Sequence, residues 1–318
     1  MGIDATASTV IGNGSTQGFA TIARAAAELD RDGKLRPFYD LSQEYSDRMP
    51  LNPFSAPVSV TYQPTQAVSA HRANGEVFSG PLGSQGTEID ALGHFGHLDP
   101  DGVVRYYGGL TQAEVKPTDD APLRHLGIDQ APPIVTSAVL LDATVLEGRA
   151  MTAGEQVKAA DIEAMLANQR VRDLLPGDAL YIYTGWEGKW SADNPDPSRT
   201  EYYSHGPGLS RDAAEYIDTK KIVCVGLDVP FIDAVADGYL QGTGSPPADA
   251  PADLPFFAHH HNLTQAGIYQ VHNMRLSELA ADRVYLSATV ILPLRIRGGA
   301  HSLVRPVAIG CPYRPAGQ

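Results

Sequence analysis

The sequence predicts an α/β protein in which strands outnumber helices and form a mixed sheet. Short apolar runs rich in β-branched residues recur along the chain between turn residues, which is the pattern of buried strands. Helical spacing occurs in fewer places, and the two types do not alternate as regular βαβ units do. A chain of 318 residues is long enough to bury a full core.

The individual elements follow from local patterns. Apolar, β-branched runs predict strands over 57–62, 137–143, 179–186, 221–228, 267–272, 284–296 and 304–309. Spacing of apolar residues at helical intervals predicts helices over 19–31, 158–169, 210–219 and 277–282. Ser, Thr and Gly dominate residues 1–18, which we expect to form a loose arm. The Pro- and Ala-rich stretch 241–255 is either a binding loop or a plain surface insertion.

Composition excludes several classes of partner. The formal net charge is −13 and no cluster of Lys and Arg is present, which argues against nucleic acid and anionic membranes. Two cysteines give no disulfide framework. No run of 18 apolar residues predicts a transmembrane helix, and the N-terminus lacks the pattern of a signal peptide. We therefore expect a cytoplasmic protein.

Acidic residues and histidines concentrate in the stretch GTEIDALGHFGH (86–97). In an extended segment Glu88 and Asp90 share one face, and a turn at Gly93 brings His94 back toward it. Carboxylate oxygens and imidazole nitrogens suit Zn²⁺ or Mn²⁺. The alternative is that these groups are surface or capping residues. No nucleophile elbow, P-loop or HExxH motif offers a different chemistry.

This stretch resembles the H-x-G-T-H-x-D-x-P-x-H motif of the metal-dependent cyclase-like hydrolase family, which includes bacterial kynurenine formamidases, isatin hydrolases and trans-dienelactone hydrolase-like enzymes. Gly86, Thr87, Asp90 and His94 match the motif, whereas Ser84, Glu88 and Leu92 replace two histidines and the proline. Further similar segments follow in the family's order: YDLSQE (39–44), GDALYIYTGW (177–186), GPGLSRDAAEYI (206–217), KIVCVGLDVPFID (221–233) and LPLRIRGGAHSLVRPVAI (292–309).

The resemblance runs from about residue 38 to 310 and implies the family's fold, a swivelling β/β/α domain. We therefore expect one domain over 38–318, preceded by an N-terminal arm and helix in 1–37. It also implies a homo-oligomer, either a dimer or a tetramer.

The resemblance implies that the distal metal ligands are a His and, twelve residues later, a Glu. The corresponding residues here are His260 and His272. A family His has thus become Glu88 while a family Glu has become His272, which we interpret as a reciprocal exchange that preserves the charge facing the metal. The alternative is a decayed site in a non-catalytic relative. We expect one divalent ion, Zn²⁺ or Mn²⁺, with the following ligands: Glu88, Asp90, His94, His260 and His272.

The implied activity is hydrolysis of a small cyclic amide, lactone or aryl formamide by a metal-activated water. His94 or Glu88 would relay the proton, and Ser84 and Thr87 would hold the water or the substrate. Three aromatic residues, Trp186, Phe256 and Phe257, form either an apolar wall around a flat substrate or part of the core. The alternatives are a lyase or cyclase that uses the same metal, and a binding protein. His97 falls outside the motif, and His301 has no partner that the sequence identifies.

Overall fold

The computed structural model describes residues 10–29, 38–196, 201–247 and 249–312. Its centre is a curled mixed sheet of nine strands in the order β1-β17-β15-β9-β11-β13-β14-β6-β16. These strands are β1 Phe38–Asp40, β6 Glu88–Asp90, β9 Ile134–Asp142, β11 Ala179–Tyr183, β13 Cys224–Leu227, β14 Tyr269–His272, β15 Leu286–Ile291, β16 His301–Leu303 and β17 Val307–Gly310.

In the described ranges, eight short strands pair outside this sheet. They are β2 Ser59–Tyr62, β3 Gln66–Val68, β4 His71–Ala73, β5 Glu76–Ser79, β7 His97–Leu98, β8 Val104–Arg105, β10 Gln156–Val157 and β12 Gly208–Leu209. The pairs are β2 with β5, β3 with β4, β7 with β8, and β10 with β12. Strands β2 to β5 are exposed along almost their whole length.

Helices cover both faces of the sheet. The α-helices are α1 Phe19–Leu29, α2 Gln112–Val115, α3 Thr144–Glu147, α4 Ala159–Gln169, α5 Arg211–Thr219, α6 Phe257–His260 and α7 Ser277–Ala281. A π-helix, His261–Ala266, continues α6. Short 3₁₀ helices are Gly12–Thr16, Tyr107–Gly109, Ile128–Gln130 and Trp186–Lys189.

The middle of the sheet is parallel, and antiparallel strands flank it on both sides. Strands β9, β11, β13 and β14 run parallel to one another. Their sequences are mostly apolar and almost fully buried, as expected for parallel strands covered by helices on both sides. Beyond β14, the antiparallel strands β6 and β16 form the edge of the sheet on which the acidic and histidine residues lie.

Each predicted strand and helix overlaps an observed one, and most ends agree within a few residues; the strand predicted over 284–296 ends five residues earlier, at Ile291. The mixed α/β class with a large sheet is confirmed. Strands β3 to β5 were not predicted, because they are exposed and short and carry no burial pattern.

The described part of the N-terminal segment is fixed to the domain rather than loose. Asn13 Nδ2 donates a hydrogen bond of 2.9 Å to the Ile222 carbonyl, and the Asn13 amide donates to the Gly267 carbonyl. Helix α1 packs against β9 and β15. The expectation of a loose arm is therefore incorrect for residues 10–18, whereas residues 1–9 and the predicted helix end beyond Leu29 lie outside the described residues.

The described helices include none that is both long enough and apolar enough to cross a membrane.

Candidate metal centre

The candidate site lies where β6 is paired between β14 and β16. Glu88 is opposite His272, and Asp90 is opposite Gln270 on one side and His301 on the other. Because side chains alternate along a strand, Glu88 and Asp90 share one face while Ile89 is fully buried on the other. The predicted common face of the two carboxylates is thus present.

Asp90, His259 and His272 form a group of potential metal ligands. One ligand atom from each lies within 4.8 Å of the others, and all three residues are buried. Asp90 Oδ2 is 3.0 Å from His272 Nε2 and 3.8 Å from His259 Nε2. Two imidazoles and one carboxylate are a donor set that suits Zn²⁺ or Mn²⁺ and leaves a coordination position open. The residues present therefore fit a divalent metal.

A second carboxylate orients His259. Asp233 Oδ2 lies 2.6 Å from His259 Nδ1, and Asp233 also accepts hydrogen bonds from the backbone amides of Ala258 and His259. Because the Asp233 carboxylate accepts a hydrogen bond from Nδ1–H, the lone pair of the neutral His259 ring is on Nε2, which faces Asp90. Carboxylate–histidine pairs of this kind commonly orient metal ligands.

The electrostatics of the group keep Asp90 charged. Burial by itself would raise the pKa of Asp90, but the surrounding imidazoles of His94, His272 and His259 outweigh it and hold the pKa well below its usual range. Burial would likewise lower the pKa of His272, yet its contact with Asp90 raises the pKa overall. The carboxylate is the natural anionic anchor for a cation.

Glu88 borders the group without belonging to it. Its Oε2 accepts a hydrogen bond from the Ser84 amide. Burial raises the pKa of Glu88 to about 7, and the negative charge of Asp90 adds to this effect, while His272 opposes it. Glu88 can therefore exchange a proton near neutral pH.

His94 approaches Asp90 from the other side. Its Nε2 lies 3.9 Å from Asp90 Oδ1, so the two oxygens of Asp90 face different imidazoles. Burial lowers the pKa of His94 to about 4, against the opposing charge of Asp90. The ring is consequently neutral at physiological pH and has a lone pair available as a base.

His260, a predicted ligand, does not lie with this group, and His259 takes the place expected for it. The His260 ring lies 4.6 Å from the His97 ring, and its nitrogens contact Thr264 and Gln265. Successive residues of a helix point about 100° apart, so neighbouring histidines cannot face one point. The facing histidine, His259, precedes His272 by thirteen positions rather than twelve, and the π-helix after His260 accommodates the extra residue.

Two predicted substrate-binding residues have hydroxyls that are already hydrogen-bonded. Ser84 Oγ lies 3.1 Å from His301 Nε2, which places Ser84 at the edge of the site. Thr87 Oγ1 donates to the Asn273 carbonyl at 2.7 Å and accepts from the Gln43 amide at 2.8 Å. Thr87 thus joins three backbone segments.

Of the three predicted aromatic residues, only Phe256 contacts the group, with its ring 6.2 Å from that of His259. Trp186 is buried in the core and donates its indole proton to the Tyr202 carbonyl. Phe257 stacks on His261 instead. Sequence reasoning missed Phe95, whose ring stacks on His259 at 5.1 Å.

Three polar residues of the centre were also missed: His259, Asp233 and His301. For Asp233, a signal existed, because it ends the segment KIVCVGLDVPFID. For His301, none existed, because its position depends on the pairing of β16 with β6 across more than 200 residues.

Comparison with known proteins gives a consistent result. The Cyclase family, described as "Putative cyclase", matches residues 39–234, more than half of the chain. A crystal structure described as a novel cyclase has a TM-score of 0.78 and 24% identity, covering 94% of each chain. Isatin hydrolase A from Ralstonia solanacearum has a TM-score of 0.61 and 20% identity, over 92% of this chain and 99% of that chain.

A structure described as a predicted metal-dependent hydrolase from Bacillus stearothermophilus has a TM-score of 0.52 and 17% identity, over 87% of this chain and 99% of that one. At these identities the likenesses establish the fold alone. No curated protein matches the sequence.

Proposed function

Because the chain belongs to the cyclase family, we propose that it is a metal-dependent hydrolase that opens a small cyclic amide, lactone or aryl formamide. The observation that carries the proposal is the buried group of Asp90, His259 and His272, with His259 oriented by Asp233. Similar structures described as isatin hydrolases and as a predicted metal-dependent hydrolase support it.

The roles of the residues follow from their positions. Asp90, His259 and His272 would hold one divalent ion, Zn²⁺ or Mn²⁺, which supplies an acidified water and an electrophile for the carbonyl oxygen. His94, being neutral, would accept a proton at a ring nitrogen. Glu88, with a pKa of about 7, returns a proton to the leaving nitrogen or oxygen.

The surroundings of the group favour a flat substrate. Phe95 and Phe256 contact the His259 ring from different directions. Phe231 continues this aromatic wall, with its ring 6.1 Å from that of Phe256. Such rings exclude water and stack on planar molecules. The substrate is accordingly a planar small molecule.

We also propose that the protein is cytoplasmic and forms a homo-oligomer, either a dimer or a tetramer. Size-exclusion chromatography with light scattering tests the oligomeric state.

Metal analysis and a substrate screen test the function together. The purified protein should hold one Zn²⁺ or Mn²⁺ per chain, and it should hydrolyse at least one member of a panel of lactones, cyclic imides and N-formyl arylamines. Incorporation of ¹⁸O from labelled water into the product carboxylate identifies hydrolysis. Turnover without ¹⁸O would indicate a lyase or cyclase instead. If the purified protein contains no metal and chelators do not change its stability, the protein is a binding protein and not a metal-dependent enzyme.

A further inference from the structure

His301 lies at the same centre but has no part in the chemistry described above. It begins the edge strand β16 and is the direct cross-strand partner of Asp90. Its ring is 5.2 Å from that of His94, edge to face at 72°. A fourth imidazole therefore borders Asp90, on the side of His94.

The backbone around residues 83 and 84 is shaped to receive the His301 ring. A side-chain carbon at Gly83 would lie 1.8 Å from His301 Nδ1, so only glycine leaves room for the ring. On the other side, Ser84 Oγ is hydrogen-bonded to His301 Nε2. The His301 ring is thus fixed on two sides: the backbone of Gly83 approaches Nδ1, and the Ser84 hydroxyl is hydrogen-bonded to Nε2.

Ser84 is itself tightly held. Its φ angle is 66°, in the left-handed region that is unfavourable for serine. Its amide donates to Glu88 Oε2, and its carbonyl accepts a hydrogen bond of 2.7 Å from Asn52 Nδ2. An unfavourable backbone angle persists when surrounding contacts determine it, and such residues cluster at functional sites.

His94, by contrast, has little to fix its ring. Across residues 10–29, 38–196, 201–247 and 249–312, no side chain or backbone group forms a hydrogen bond with the His94 imidazole; its nearest charged atom is Asp90 Oδ1, at 3.9 Å. The His94 ring contacts two other rings, that of Phe95 at 4.9 Å and that of His301 at 5.2 Å. A general base is commonly oriented by a further group.

We propose that His301 is a positioning residue that keeps the His94 imidazole directed at Asp90, and that Ser84 in turn fixes His301. The inference rests on the proposed function in one respect, namely that His94 is the base. It assigns His301 no role as a metal ligand. His301 acts on His94 through the contact between their two rings, whereas its hydrogen bond with Ser84 serves only to hold His301 in place.

Kinetic measurements on zinc-loaded variants test the proposal. In His301→Ala, kcat should fall by about 10²-fold, the usual cost of a misplaced catalytic group, while KM changes little and zinc content stays at the wild-type value. His301→Phe, which keeps a flanking ring, should recover part of kcat. His71→Ala, on the exposed strand β4, is the control and should match the wild type. An unchanged kcat in His301→Ala, or loss of its zinc, overturns the assignment.

A measurement without substrate makes the inference independent of turnover. In protein labelled with ¹³Cε1-histidine and loaded with zinc, the His94 signal is identified by its loss in His94→Ala. That signal should shift or broaden in His301→Ala and in Ser84→Ala, but not in His71→Ala. An unchanged His94 signal in His301→Ala contradicts the inference. Failure of the wild type to hydrolyse any panel member would remove only the proposed function.

Discussion

Glu88 and His272 are direct neighbours across two antiparallel strands, β6 and β14. Side chains opposite each other in such a pair have Cβ atoms about 5 Å apart. An imidazole and a carboxylate can therefore change places between the two strands while the same two groups, with the same total charge, still border the centre. This geometry is what a reciprocal exchange requires.

A double-mutant cycle tests the exchange. Glu88→His alone leaves an excess of imidazoles, and His272→Glu alone places three carboxylates around one point, so each should weaken zinc binding. The double variant restores one group of each kind and should bind zinc more tightly than the two single effects predict. We expect a coupling of about 0.5–3 kcal/mol, measured by chelator competition. Strictly additive effects would contradict the exchange.

The adjacent histidines of α6 provide a matched pair for the metal assignment. His259→Ala removes one of the donor side chains. Loss of a group that merely orients a ligand costs about 10–100-fold in metal affinity, so loss of the ligand itself should lower zinc affinity by more than about 10²-fold. Asp233→Asn, which removes the partner of His259 Nδ1, should show that smaller loss. His260→Ala, equally buried but directed at His97, should bind zinc like the wild type. Equal losses at His259 and His260 would refute the assignment.

How far the sequence predicted the site depends on the range of the contacts. Asp90 was predicted because it lies in an extended segment whose alternation is visible locally, whereas His272 was predicted from the family resemblance and not from a local pattern. His259 was missed because the direction of a helical side chain changes by about 100° per residue, so one inserted residue selects a different histidine. His301 reaches the centre through long-range strand pairing, which leaves no local pattern.

At the scale of elements, the loop that carries Asp233 depends on the close approach of β12. A side-chain carbon at Gly208 would lie 2.3 Å from the Asp233 carbonyl carbon and 2.4 Å from the Ala234 amide nitrogen. The Leu209 amide also donates to the Ile232 carbonyl at 2.7 Å. Gly208, the second glycine of the GPGLS segment, therefore allows the backbone of β12 to contact the backbone of the loop that carries Asp233.

Gly208→Ala should move this loop. Because both contacted atoms belong to the backbone, we expect a loss of roughly 1–3 kcal/mol in unfolding free energy, typical of overpacking, together with weaker zinc binding through Asp233. Denaturant unfolding and zinc competition measure the two effects. Gly188→Ala is the control, since a side-chain carbon there meets no atom within 4 Å. If Gly208→Ala matched the control in both measurements, the close approach would have no energetic importance.

The elements themselves differed in how well they could be predicted. The central parallel strands and the longer helices carry strong burial patterns, and their predicted positions agree with the structure. Strands β3 to β5 expose every residue and thus lack any alternation of buried and exposed positions. Their pairing depends on turns rather than on a buried face.

For the whole molecule, buried carboxylates contribute to the pH dependence of stability. Some have charged or strongly donating partners: Asp178 bonds with Arg172, and Asp233 with His259. Within the described part of the chain, Asp228 accepts hydrogen bonds only from neutral donors, the Thr184 amide and hydroxyl and the Glu187 amide. Burial and the nearby charge of Glu187 raise the pKa of Asp228 to about 7 from an ordinary value of 3.8.

The sign of the effect follows from proton binding. From about pH 4 to about pH 7, folded Asp228 holds a proton that the unfolded chain has released, so its contribution to stability declines as pH rises through this window. Asp228→Asn cannot ionise and lacks this decline. Between pH 5 and pH 8 the variant should gain on the order of 2 kcal/mol in unfolding free energy relative to the wild type.

Denaturant unfolding of both proteins at the two pH values measures this change. The quantity to compare is the difference in unfolding free energy between variant and wild type at each pH. This difference contains the cost of placing an amide beside the Glu187 N–H as a constant. The opposing titration of His94 and His260, whose pKa values are lowered in both proteins, cancels in it. A difference between variant and wild type that stayed constant from pH 5 to pH 8 would mean that Asp228 is ionised in the folded state throughout. Its three donors would then outweigh the cost of burial.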